Sequence, residues 1–210
     1  MENYYSERAP VYEAVYQYPE RQKELRLLES YIPKQFKGKK LLEIAAGTGY
    51  WTLFLAKEAL SILATDATLE PLEELRNKNI KKVEVKQVDA YCLDDLPTDF
   101  DGAFAGLWLS HIPKQRYREF LTGLHSRLKS GAKVIFVDNS ILQCERLPIS
   151  RTDSFGNTYQ NRELENGKSY EVLKNFPSEK ALVDMTKEIA RDQVFIQYEN
   201  YWLFEYTVIN

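Results

Sequence analysis

The chain reads as an α/β protein built on one parallel sheet that ends in an antiparallel hairpin, and three observations carry that reading. Apolar, strand-length runs at 41–46, 61–66, 83–89, 101–109 and 132–138 are each separated by a helix or a helix-length connection. Such alternation predicts a parallel sheet with crossover helices. Acids stand at the ends of the first three runs, at Glu43, Asp66 and Asp89, which places all three on the carboxyl edge where open α/β sheets take ligands. The last run, QVFIQYENYWLFEYTVI over 193–209, divides at Glu-Asn-Tyr and suits an antiparallel hairpin.

Composition bounds the function classes. At 210 residues the chain is long enough for one well-buried domain, 1–210, and too short for two of typical size. Hydrophobic residues at 44%, charged residues at 28% and a net charge of -3 describe a folded globule with no basic surface for nucleic acid. No apolar run approaches the roughly 18 residues of a membrane span, and the polar, aromatic start MENYYSERAP is unlike a signal sequence. A cytoplasmic protein, monomer or homodimer, is expected. Cys92 and Cys144 lie far apart, and the two histidines, His111 and His125, share no metal-ligand spacing with other residues, so no metal is expected.

The most informative stretch is LLEIAAGTGYW, 41–51, an apolar run that breaks into a small-residue turn and then a helix. Ala45, Gly47 and Gly49 let a ligand lie against bare backbone. This is a nucleotide-type loop. It fails the dinucleotide fingerprint G-x-G-x-x-G, because the register from Ala45 puts Tyr50 at the third glycine and the register from Gly47 puts Thr52 there. The helix that follows, with Thr52, Leu53, Leu55, Ala56 and Leu60 on it, presents a partly positive end to the loop. Asp66 ends the second strand about 20 residues past the glycine turn, where a ribose diol is held in such sheets; its competing reading is a helix N-cap.

The flanks complete the plan. Residues 1–36 form short helices interrupted by Pro10 and Pro19, with Tyr5, Tyr12 and Tyr16 at roughly helical spacing; this stripe is either packing or a lid over the ligand. His111, in SHIP just past the fourth strand, is a candidate base or substrate contact. A helix is expected over 114–129, carrying His125 as a structural residue, followed by a Lys-Ser-Gly turn. Residues 141–176 are too long for a simple connection and are expected to form a cap or extra strands. Within it Asn166-Gly167 marks a hairpin that Arg162, Lys168 and Lys174 are expected to share; Lys168 and Lys174, an even number apart, can face one side, either as a basic face for an anionic acceptor or as a solvated one. A last helix is expected over 177–190.

Four stretches, YYSERAPVY at 4–12, LEIAAGTGYWT at 42–52, LWLSHIP at 107–113 and RELENGKSYEVLKNF at 162–176, make the chain similar to the small bacterial class I S-adenosylmethionine (SAM) methyltransferases. Within them it resembles phosphonate O-methyltransferases of the dehydrophos type. The acid, small residue and two glycines at Glu43, Ala45, Gly47 and Gly49 match the first motif of that family. The resemblance implies a Rossmann-like seven-stranded sheet, parallel with one antiparallel strand, and SAM as cofactor with S-adenosylhomocysteine (SAH) as product. It further implies that Glu43, Ala45, Gly47 and Gly49 line the methionine end, Asp66 the ribose, Asp89 with Ala90 the adenine, and that Leu107 and the lid tyrosines Tyr5 and Tyr12 complete the cofactor site. Tyr16, His111, Arg162, Lys168 and Lys174 would form the pocket for a small-molecule acceptor, an oxygen of a phosphonate or carboxylate. An amine acceptor, and a SAM-binding subunit without turnover, remain the alternatives; an acceptor pocket left intact behind the lid favours an enzyme.

Overall fold

A computed structural model describes residues 2–164 and 166–209. Ten strands follow in chain order: β1 (Lys40–Ile44), β2 (Ser61–Asp66), β3 (Val83–Gln87), β4 (Phe100–Gly106), β5 (Leu128–Asn139), β6 (Arg151–Thr152), β7 (Thr158–Glu163), β8 (Ser169–Leu173), β9 (Ala190–Gln197) and β10 (Tyr201–Val208). The helices are α1 (Glu2–Arg8), α2 (Gln22–Gln35), α3 (Tyr50–Leu55), α4 (Leu69–Asn77), α5 (Tyr117–His125) and α6 (Glu179–Thr186), with 3₁₀ turns at Ala9–Tyr16 and Pro19–Arg21 between the first two. Seven strands form one sheet in the order β3-β2-β1-β4-β5-β10-β9. Only β10 runs against its neighbours, so the expected parallel sheet with one reversed strand is present. Strands β6, β7 and β8 form a separate small antiparallel sheet.

The period-2 pattern of the strands builds a core on each face of the large sheet. Leu42, Ile44, Val134, Phe136, Trp202, Phe204 and Tyr206 pack on one side, against α5 and α6. Leu41, Ile135, Val137, Tyr201 and Leu203 pack on the other, against Leu25, Leu28 and Ile32 of α2 and Leu72 and Leu75 of α4. Both faces are dry, which is why these strands read as near-continuous apolar runs. Among the described residues no helix is long and apolar enough to cross a membrane.

Several expected boundaries move, each for a local reason. Strands β1 and β4 stop short of 46 and 109 because Ala45 and Leu107 turn to positive φ, 52° and 56°. The Lys-Ser-Gly segment lies inside β5 instead of preceding it: Gly131, at φ 80°, falls where the β4–β5 register shifts between Phe100 and Gly102, so the expected turn is a bulge. The helix expected over 114–129 therefore ends at His125, after a 3₁₀ turn at Lys114–Arg116. Helix α6 begins after Ser178, whose hydroxyl accepts from Ala181 N, and ends before Ala190 opens β9. Helix α3 ends at Leu55, short of the Leu60 expected on it.

Candidate active site

The carboxyl edge of the sheet carries two backbone features that mark a site. Ala45 and Leu107 end the adjacent strands β1 and β4 in the left-handed region, a conformation costing a non-glycine residue on the order of 1–2 kcal/mol. The neighbouring strands hold it in place: Leu107 N donates to Val137 O at 2.7 Å, and Ala46 N to Thr65 O at 2.9 Å. Both strained residues line a cleft of about 700 Å³ together with Gly47, Asp66, Asp89 and Ala90. Asp66 organises the loop. Its Oδ2 accepts from Gly47 N at 3.0 Å and its Oδ1 from Thr68 N at 2.9 Å; the cap position of α4 is Thr68, so Asp66 stands at the rim just before the helix and is not its N-cap. Burial raises its pKa, and the backbone donors oppose that rise. Asp89 Oδ1 accepts from Tyr91 N at 2.9 Å.

Two members of the glycine motif do not reach the cleft. Gly49, at φ 86°, caps α3, and a Cβ there would meet Leu75 Cδ1 at 2.3 Å; its smallness serves packing. Glu43 lies inside β1, is 1% exposed, and accepts from Thr52 Oγ1 of α3 at 2.8 Å. Burial pushes its carboxyl from 4.5 up to about 8, so it is protonated at neutral pH. Between those values the folded state holds a proton that the unfolded chain has released, and stability falls as pH rises through the window. Glu43→Gln is therefore expected to melt like the wild type near pH 4.5 and above it in alkali, the difference growing by up to about 1.4 kcal/mol per pH unit. Parallel pH profiles of melting temperature would refute this.

A second, smaller cavity of about 60 Å³ lies beside the cleft. Tyr5, Tyr12, Leu107 and His111 line both spaces and form the partition between them. The inner wall is basic: Arg8, Arg21, Arg146, Arg162 and Lys174 all face it. Of these, Arg162 and Lys174 are expected from sequence and Arg146 stands out there only as one of the cap's cations, whereas Arg8 and Arg21 carry no local motif. Lys174, 1% exposed, bonds Asp138 Oδ1 and Ser110 Oγ, each at 2.7 Å.

His111 is 5% exposed. Its Nδ1 lies 2.6 Å from Leu173 O, which can only accept, so Nδ1 carries the proton and Nε2 accepts from Tyr5 Oη at 2.8 Å. Burial, then the charges of Lys174 and Arg162, hold its pKa well below 6.5. Tyr5, pushed up to about 12 mainly by burial, stays a neutral donor.

Two expected acceptor residues are elsewhere. Tyr16 faces neither cavity; its ring stacks on Tyr50 at 3.6 Å and meets Trp51 edge-on, so it is packing. Lys168 sits in the turn before β8 and pairs with Glu7 of α1 at 2.7 Å in solvent, while Lys174 points inward. The shared basic face does not form, because the two lysines do not lie on one continuous strand. Arg162, Lys168 and Lys174 do flank one hairpin. Among the described residues no group of three or more His, Cys, Asp or Glu can hold a metal ion.

The same architecture occurs in known proteins. The family described as a methyltransferase domain matches residues 41–131. Two structures of DhpI superpose over almost the entire length: the SAH complex at 25% identity and TM-score 0.77, covering 99% of this chain and 95% of that one, and the SAM–HEP complex at 26% identity and TM-score 0.78, covering 97% and 94%. The chain is a class I SAM-dependent methyltransferase. The PH0226 protein of Pyrococcus horikoshii OT3, 16% identical with a TM-score of 0.74 over 91% of this chain and 92% of its own, shares the fold. No curated protein sequence matches significantly. The larger cavity lies at the carboxyl ends of β1, β2 and β4, lined by Ala45, Asp66 and Gly106.

Proposed function

We propose that this methyltransferase acts on an oxygen of a small anionic acid, a phosphonate or a carboxylate. The observation that carries the reading is the basic inner cavity, separated from the cofactor cleft only by Tyr5, Tyr12, Leu107 and His111. DhpI, of the same fold, was captured with SAM and HEP together, which supports a two-compartment site.

The cleft fits SAM on its own features. Bare backbone at Ala45 and Gly47 leaves room for close approach, Asp66 keeps acceptor lone pairs for a ribose diol at the rim, and Trp108 Nε1, buried and unpartnered, offers a donor in the lining. When bound, SAM supplies a sulfonium-activated methyl group, whose S–C bond breaks as the new O–C bond forms. The protein's part is alignment and exclusion of water. Tyr5 and Tyr12 close the partition, Asp89 and the backbone of Ala90 hold the adenine end, and the cationic wall orients the acceptor. The charges reduce the nucleophilicity of an anionic oxygen; alignment offsets that cost. Such an oxygen needs no base, and His111 is a poor one here, since its conjugate acid would be buried among cations. It serves as a hydrogen-bonding partner that fixes Tyr5.

Turnover of SAM with a panel of short phosphonates, carboxylates and amines tests this directly, with the methylated product identified by mass. Methyl esters are expected and methylated amines are not; the reverse pattern overturns the reading. His111→Asn is expected to lose less than about tenfold in kcat and to keep a flat profile above pH 6.5, whereas loss of a general base costs roughly 10²–10⁴-fold.

A further inference from the structure

The inner cavity holds more cationic character than one acid group uses. Two of its five cations are neutralised within the protein: Lys174 by Asp138 at 2.7 Å and Arg146 by Glu20 at 2.8 Å. Arg8, Arg21 and Arg162 bond only neutral groups among the described residues, namely Tyr4 Oη, Asn139 Oδ1 at 3.1 Å, and Gln160 Oε1 at 2.9 Å with Tyr5 Oη at 3.4 Å. Arg21 is 7% exposed and Arg162 6%. A guanidinium this deep without a carboxylate is costly unless a ligand brings the counter-charge. The Nε of each is buried and has no hydrogen-bond partner. Gln143 Oε1, on the same wall, is also buried and unpartnered, leaving an acceptor for a hydroxyl or ammonium of the ligand.

The two guanidiniums are anchored to different parts of the chain. Arg162 belongs to β7 and touches Tyr5, which bonds His111, so it stands at the partition with the cofactor cleft. Arg21 closes the 3₁₀ turn Pro19–Arg21, is held by Asn139 at the end of β5, and lies near the rings of Tyr18 and Tyr201. Neither Arg21 nor Asn139 lines the cofactor cleft, whereas Tyr5 and His111 do. One cation thus faces the place of methyl transfer and the other is set back from it.

Resting on the anionic-acceptor reading, we propose that the acceptor carries two acidic groups: one beside Tyr5, His111 and Arg162, where it is methylated, and a second held by Arg21 from the N-terminal segment. Arg21 is then a specificity-determining residue that selects short diacids over monoacids. A guanidinium can meet a carboxylate or phosphonate with two parallel hydrogen bonds, and such charge-assisted bonds in a dry site discriminate strongly against ligands lacking the group.

The test is calorimetric titration of SAH-saturated protein with methylphosphonate, which has one acidic group, and with phosphonoacetate and 3-phosphonopropionate, which have two. At least one diacid is expected to bind tenfold or more tightly than methylphosphonate. Arg21→Gln is expected to shrink that gap below threefold, and Arg162→Gln to weaken both kinds of acid; SAH affinity reports that each variant is folded. Diacids binding no better than methylphosphonate to the wild type overturn the inference without recourse to any variant, and leave the anionic-acceptor reading standing. So does an Arg21→Gln loss equal for both kinds of ligand, which means that one anion bridges both arginines. Retained SAH binding with no affinity for any of the acids overturns the anionic acceptor itself, and this inference with it.

Discussion

Replacing Asp66 with alanine is expected to weaken SAH binding about a hundredfold. Each carboxylate oxygen of Asp66 accepts one backbone donor, from Gly47 or Thr68, and retains a lone pair for the ribose. Two charge-assisted bonds at roughly 1.5 kcal/mol apiece give about 3 kcal/mol, or two orders of magnitude. The alanine variant also frees Gly47 N and slackens the loop that shapes the methionine end. Asp66→Asn separates these effects. An amide cannot accept through both of its heavy atoms, so the asparagine variant is expected to fall between alanine and wild type. Calorimetric titration with SAH measures both; a loss of less than threefold in Asp66→Ala would remove Asp66 from the cofactor site.

The residues legible from sequence are those whose position follows from strand order. Asp66 and Asp89 follow successive parallel strands, and alternation alone sends both to one edge; Ala45 and Gly47 are recognisable because a small-residue break after an apolar run has few other uses there. Glu43 shows the limit of that logic. It lies one residue inside the end of β1 on the face that α3 covers, where its partner is Thr52 and not a ligand. The pairing of Lys168 with Lys174 failed for a related reason, since parity holds only within a strand and β8 spans Ser169–Leu173. Tyr16 and the lid tyrosines look alike as a stripe, yet stacking on Tyr50 is a tertiary fact. Arg21 was out of reach altogether: its bond to Asn139 crosses 118 positions of sequence, and nothing near YPER distinguishes an inward arginine from a solvated one.

Lys174 offers the largest stability effect. Its ammonium and the Asp138 carboxylate are 1% and 0% exposed, and Asp138 also accepts from Ser110 N at 3.0 Å and Asn139 N at 2.8 Å. Burial alone would raise the Asp138 pKa, but Lys174 foremost, with the bond from Ser110, holds it below the usual value, so the carboxylate stays charged. Lys174→Met strands that charge, and removing one partner of a buried pair costs about 3–5 kcal/mol. At roughly 2–4 °C per kcal/mol for a chain of this size, the melting temperature is expected to fall on the order of 10 °C. Adding Asp138→Asn should restore about half or more of the loss, because no charge is then left unpaired. The double variant also separates two accounts of the inner cavity. The pair is neutral, so if Arg8, Arg21 and Arg162 provide the field that attracts the acceptor, the refolded double variant keeps its affinity for methylphosphonate within a few-fold. If Lys174 itself grips the acid, as the family resemblance implies, that affinity is lost while SAH binding survives. The guanidiniums, which pair with no carboxylate among the described residues, make the first outcome the expected one.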